Sequence, residues 1–151
     1  MHTLRFLNSH EIKAIDEAVM RQFGTELPKG YAYVLRKDGD LFMVNRDVER
    51  IELSKININS LGLYIGEFRG DEFRPGIEGS QILGPLAKKN VISINKEQMA
   101  KWFSGEEIES SEDASGYVIL KSGSDFVGCG KLIEGKVTNF VPKTRRVKVL
   151  L

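Results

Sequence analysis

The chain has 151 residues, a formal net charge of +1, and 41 % apolar against 28 % charged residues, proportions that exclude a disordered or collagen-like chain. No apolar run reaches the roughly 18 residues of a membrane span, and the opening MHTLRFLNSHEIK lacks the apolar stretch of a secretory leader. A single cysteine, Cys129, excludes an internal disulfide and a thiolate-built metal site, so a cytoplasmic protein without membrane partners is expected.

Residues 1–8 alternate as a short strand, with Leu4, Phe6 and His2 on one side. Ser9 stands where a helix N-cap would, and Glu11 follows in the first turn, on the favourable side of the dipole. Ile12, Ile15, Val19 and Phe23 then recur at helical spacing, and Gly24 supplies a stop. Two strands are expected at residues 31–36 and 41–44. They flank Lys37-Asp38-Gly39-Asp40, a hairpin turn in which glycine takes positive φ cheaply. Further strands are expected at residues 51–53 and 61–68. Gly70-Asp71 makes a loop before Phe73. Pro75 pre-sets a helical φ for a helix reaching about residue 87, against the propensities of Gly76, Gly79 and Gly84.

The texture changes after Lys88-Lys89, where a tight junction divides an expected domain of residues 1–88 from one of residues 89–151. Residues 91–94 (VISI) read as a strand. Asn95 with Gln98 reads as a capping box for a helix whose apolar side is Met99, Trp102 and Phe103. Gly105 suits a left-handed helix end. An acidic loop spans residues 106–115. Strands follow at residues 117–121, 126–133, 136–140 and 146–151, with Gly135 turning the middle pair and Pro142 separating the last two. The expected fold is therefore α+β, an N-terminal mixed α/β domain packed against a small C-terminal β barrel.

Catalytic chemistry finds few residues to use. Cys129 lies between Gly128 and Gly130 in an apolar strand, the setting of a buried structural thiol, and the glycines read as places of close strand approach. His2 and His10 are not spaced as a metal pair. Glu106-Glu107 and Glu112-Asp113 form a solvated acidic loop without a partner to split their pKa values. No phosphate-binding glycine loop is present, and no cofactor, metal or catalytic residue is expected. The basic tail is more telling. From residue 131 to 148 there are six basic residues (Lys131, Lys136, Lys143, Arg145, Arg146, Lys148) against the single Glu134. Three of them sit beside Asn139 and Phe140, and arginine forks suit phosphate oxygens while an amide or aromatic meets an unstacked base.

The run GYVILKSGSDFVGCGKLIEGKVTNFVPKTRR resembles a PUA domain, the module named for pseudouridine synthases and archaeosine transglycosylases. The resemblance is carried by a helix ending in glycine (KWFSGEEI), a Gly-then-apolar strand, a small-Gly strand (FVGCGKL) and a closing Asn-x-x-Pro-x-x-Arg-Arg. GLYIGEFRGDEFRPGIEGSQIL followed by KNVISINKEQMAKWFSGEEI is similar to the C-terminal tail of RNA cytosine methyltransferases of the Sun family. It is similar also to small two-domain PUA proteins that assist ribosome biogenesis. The resemblance covers roughly residues 62–146. It implies an RNA surface made by the first helix of the module, its glycine loop and adjacent strands: here Lys101, Gly105, Glu106 and Lys121, with Lys131, Asn139, Lys143, Arg145 and Arg146 from the basic tail. Glu106, Glu107 and Glu109 crowd that loop and depart from the pattern. The methyltransferases carry a cofactor-binding catalytic domain with cysteine nucleophiles, which residues 1–61 are too few to hold. The expectation is a non-enzymatic binder of structured rRNA or tRNA, acting in RNA modification, processing or ribosome biogenesis. The alternative is a protein-interaction subunit that recruits an RNA-modifying enzyme or joins an assembly factor, with the barrel as scaffold. Arg69 and Arg74 could extend RNA contact into the N-terminal domain.

Overall fold

The computed structural model describes residues 4–50, 58 and 62–146. The strand expected at residues 51–53, all of the strand expected at residues 146–151 except Arg146, and His2 lie outside them. The first half forms a five-stranded antiparallel meander, β1 (Leu4–Phe6), β2 (Tyr31–Arg36), β3 (Asp40–Asn45), β4 (Leu63–Arg69) and β5 (Glu72–Pro75), in that spatial order. Alternation splits its residues between two faces: Val34, Phe42 and Val44 lie on one, Tyr33, Leu41, Ile65 and Phe73 on the other. Helix α1 (Ser9–Phe23) covers the second face with Ile15, Val19 and Phe23.

The α1 cap is Asn8, one residue ahead of the expected Ser9. Asn8 Oδ1 accepts from the Glu11 amide at 2.9 Å, and the Glu11 carboxylate accepts from the Asn8 amide at 3.2 Å. This reciprocal pair needs a three-residue spacing from Glu11, and that selects position 8. Gly24 ends the helix at φ +71°. The expected loop around Gly70-Asp71 is the tight turn of a hairpin, with φ of +55° and +61°, and Phe73 belongs to β5. Pro75 therefore closes an edge strand instead of opening a helix, a position where its missing N–H costs no ladder bond. Helix α2 (Ile77–Leu83) starts only after Gly76 and runs into a 3-10 turn, Gly84–Leu86.

The second half is a mixed sheet, in spatial order β6 (Val91–Ser93), β8 (Gly116–Ser122), β9 (Asp125–Ile133), β10 (Lys136–Asn139) and β7 (Ile108–Glu109), with β6 parallel to β8 and the rest antiparallel. Strand β7 sits inside what the sequence presents as an acidic loop. Helix α3 (Lys96–Phe103) has the expected Asn95–Gln98 capping box. It drives Trp102 into a core with Ile92, Val118, Leu120, Val127 and Val137. This is the α+β arrangement anticipated from the sequence.

The two sheets share a core. Ile119 of β8 joins Phe23, Phe73 and Leu83 in one buried cluster, flanked by Tyr117 and Phe126. Bonds from the Lys88 amide to Phe23 O (2.8 Å) and from Asn90 Nδ2 to Gln22 O (2.6 Å) fasten the junction. Helix α2 wedges between the sheets because two glycines permit it. A β-carbon at Gly79 would overlap the Ile65 carbonyl of β4, and one at Gly84 would overlap the Phe126 ring of β9. Gly79→Ala is therefore expected to destabilise the protein by about 1–3 kcal/mol through overpacking, against the roughly 1 kcal/mol gain that helix propensity alone would give. Urea denaturation of the two proteins reads the sign directly.

Candidate nucleic-acid interface

The C-terminal end of α3 is tied to the loop and tail beyond it by Asn139. β10 ends at Asn139, whose Nδ2 donates to Trp102 O at 2.7 Å and to Glu106 O at 2.8 Å, while its Oδ1 accepts from the Val141 amide at 2.8 Å. The amide expected to meet a base is thus committed to the fold, tying helix end, glycine loop and tail together. Gly105 takes φ +97°, as its place after the helix suggests. Its open side is covered: a β-carbon there would lie 2.8 Å from Arg146 Nε and 2.9 Å from Arg146 Cζ. The Arg146 guanidinium folds over the glycine and donates from Nε to Val141 O at 3.1 Å. Lys101 is exposed on the last turn of α3, and Glu106 is exposed with its carboxylate accepting from Ser104 Oγ at 3.1 Å.

Beyond Pro142 the tail makes a 3-10 turn, Lys143–Arg145. Lys143 is exposed. Arg145 reaches the other half of the molecule, where its Nη1 pairs with Glu78 Oε1 of α2 at 2.5 Å. With both partners partly solvated, the pair contributes at most about 1 kcal/mol and acts mainly to place the tail.

A second group of cations lies against aromatic rings on the sheet face that meets the N-terminal half. The Arg74 guanidinium stacks 4.7 Å from the Phe140 ring centre, Phe140 tilts against Tyr117 at 6.2 Å, and Lys131 Nζ lies 5.4 Å from the Tyr117 ring. Lys121 similarly lies 5.5 Å from the Phe126 ring. Desolvation, with Glu72 adding to it, raises the Tyr117 hydroxyl above its ordinary range, so it stays a neutral donor. Half-buried aromatics interleaved with guanidinium and ammonium groups suit the stacking and phosphate contacts of single-stranded nucleic acid. Tyr117 escapes sequence reasoning, because strand alternation alone does not say which face of β8 meets another layer. Arg74 shows in the sequence only as the flank of a loop.

Other chemistry finds little support. Burial pushes the Cys129 thiol far above its usual range, so it is not a nucleophile. His10 is exposed at the start of α1. Among the described residues, no cluster of three or more His, Cys, Asp or Glu is arranged to hold a metal, and no helix is long and apolar enough to cross a membrane.

Two domain families match the chain in succession. Residues 4–77 match the NIP7/UPF0113 pre-PUA domain, and residues 89–147 match the PUA domain of the methyltransferase RsmF. Among full-length proteins, the chain is similar to the ribosomal RNA small subunit methyltransferase F of Vibrio cholerae serotype O1 (strain M66-2), at 24 % identity over 137 residues, 89 % of this chain and 28 % of that protein. The methyltransferases F of Vibrio vulnificus (strain YJ016) and Vibrio parahaemolyticus are 22 % identical over 88 % of this chain, and 28 % and 29 % of their own lengths. The chain spans less than a third of these relatives.

Asn139→Ala removes a donor to Trp102 O, the donor to Glu106 O in the loop and the acceptor of the Val141 amide, and is expected to cost about 1–3 kcal/mol. The emission of Trp102, the sole tryptophan, reports the shift in the denaturation midpoint.

Proposed function

Because the chain is a PUA-domain protein, joining a pre-PUA domain of the NIP7/UPF0113 kind to a PUA domain like that of the methyltransferase RsmF, we propose that it binds structured RNA. On this reading it is a non-catalytic accessory factor for rRNA or tRNA modification, processing or ribosome biogenesis in the cytoplasm. Residues 1–88 form the pre-PUA domain and residues 89–151 the PUA domain. The relatives' name, which specifies small-subunit rRNA, favours rRNA over tRNA.

The observation that carries the proposal is the joining of the basic tail to the glycine loop. Arg146 lies over Gly105, and Asn139 binds helix end, loop and tail into one surface. Lys101, Lys121, Lys131, Lys143, Arg145 and Arg146 supply phosphate contacts, which set affinity and its salt dependence. Gly105 and Glu106 shape the loop instead of receiving the base, since Arg146 fills the approach to the glycine. Asn139 supports the surface from beneath. Cys129, buried and with its thiol pushed up by burial, is not a nucleophile, which supports a non-enzymatic role.

A second reading, a protein-interaction subunit recruiting an RNA-modifying enzyme or an assembly factor, is favoured by the exposed carboxylates Glu106, Glu107, Glu109, Glu112 and Asp113. Gel shifts with small-subunit rRNA hairpins at several salt concentrations separate the two. Arg145→Ala combined with Arg146→Ala is expected to weaken binding and flatten the salt slope by roughly 2, about one unit for each phosphate no longer neutralised. Stability should fall by about 1 kcal/mol at most for the Arg145–Glu78 pair and by roughly 1 kcal/mol for the Arg146–Val141 hydrogen bond. Unchanged binding in the double variant removes the tail from the interface. Salt-insensitive or absent binding by the wild-type protein favours the second reading.

A further inference from the structure

β10 covers its neighbour only as far as the Asn139–Gly130 pairing, whereas β9 begins at Asp125. The uncovered stretch of β9 forms the floor of a cleft of about 270 Å³ between the two domains, with Arg74, Phe140, Thr144 and Arg145 among its lining residues. Gly128 and Trp102 also line it. Gly128 has φ +136°, and a β-carbon there would lie 3.1 Å from Trp102 Nε1, so the floor at this point is main chain beside an indole edge. Trp102 Nε1 donates to Val127 O at 3.1 Å, meeting one carbonyl of that strand.

We propose that this cleft receives a single unpaired nucleotide, its base lodged over Gly128 beside Phe140 and its phosphate held between Arg74 and Arg145. The inference rests on the RNA-binding reading above and specifies where that surface reads RNA. Three observations converge on it. The cleft is smaller than the roughly 300–1,000 Å³ pockets that enclose drug-sized molecules, and suits one nucleoside-sized group. Arginine stacked on an aromatic ring offers both a cation and a flat surface, the pairing that holds an unstacked base. The two guanidiniums come from different domains, Arg74 from β5 and Arg145 from the tail. Glu78 orients Arg145, which remains 47 % exposed and keeps donors for an incoming phosphate. Glu78 also disfavours a second phosphate, limiting the cleft to one nucleotide.

The test compares two RNA hairpins, identical except for a single-nucleotide bulge in one. Trp102 emission is followed as the intact protein is titrated with each. The wild type is expected to bind the bulged hairpin roughly tenfold more tightly, as one stacked base provides, and to change Trp102 emission only with that RNA. Arg74→Ala should bring the affinity ratio towards one. Thr144→Phe, at an exposed position on the cleft wall, should abolish the emission change even if Arg74→Ala proves unstable. Equal binding of both hairpins with no emission change overturns the cleft assignment while leaving RNA binding intact. An emission change that survives Thr144→Phe likewise overturns it. Binding of neither hairpin overturns this assignment and the RNA-binding reading together.

Discussion

Helix α2 and the 3-10 turn after it lie directly against both sheets, on a carbonyl of β4 and on a ring of β9, and the proposed site is placed by that contact. Gly79 lets the helix rest on the Ile65 carbonyl of β4, and Gly84 lets its end rest on Phe126 of β9. Any side chain at either point would force the layers apart in an interior packed to near-crystalline density. With α2 fixed, the two halves share a core through Ile119, Phe73 and Leu83. Glu78 then faces the tail, where Arg145 meets it.

The proposed RNA surface rests on this geometry instead of on the net charge of +1. Asn139 spends its hydrogen bonds on holding α3, loop and tail in register, and the cations around it become a patterned field. Acidic residues of the loop after Gly105 point the chemistry away from that loop. The aromatic and guanidinium groups at the domain junction point it towards β9 and the tail. In the proposed reading, lysines and arginines of the rim set affinity and the junction cleft sets selectivity.

Much of the fold is legible in the chain. Apolar spacing exposes α1, the Asn95–Gln98 box exposes α3, and the turn glycines at 39 and 135 expose two hairpins. What escapes does so for physical reasons. Gly79 and Gly84 read as poor helix formers because propensity is local, while their purpose is contact with residues from β4 and β9. Pro75 signals a helix start equally well whether or not a neighbouring strand claims it, and β4 claims it. β7 spans two residues, too few for alternation to show among carboxylates. In the site, the basic tail is visible as a charge run, and Gly105 as a helix end. That Arg146 occupies the space above Gly105, or that Arg74 stacks on Phe140, depends on pairings across 41 or more positions, which no local pattern carries.

The central claim is that the PUA surface, with its tail and domain junction, contacts RNA. Ultraviolet crosslinking in living cells, followed by sequencing of the bound RNA and mass spectrometry of the crosslinked peptides, tests it most directly. The account predicts enrichment of rRNA and crosslinks on peptides containing Phe140 to Arg146 and Arg74. Recovery of no RNA above background, or crosslinks confined to the exposed face of α1 around Lys13 and Glu17, would contradict it.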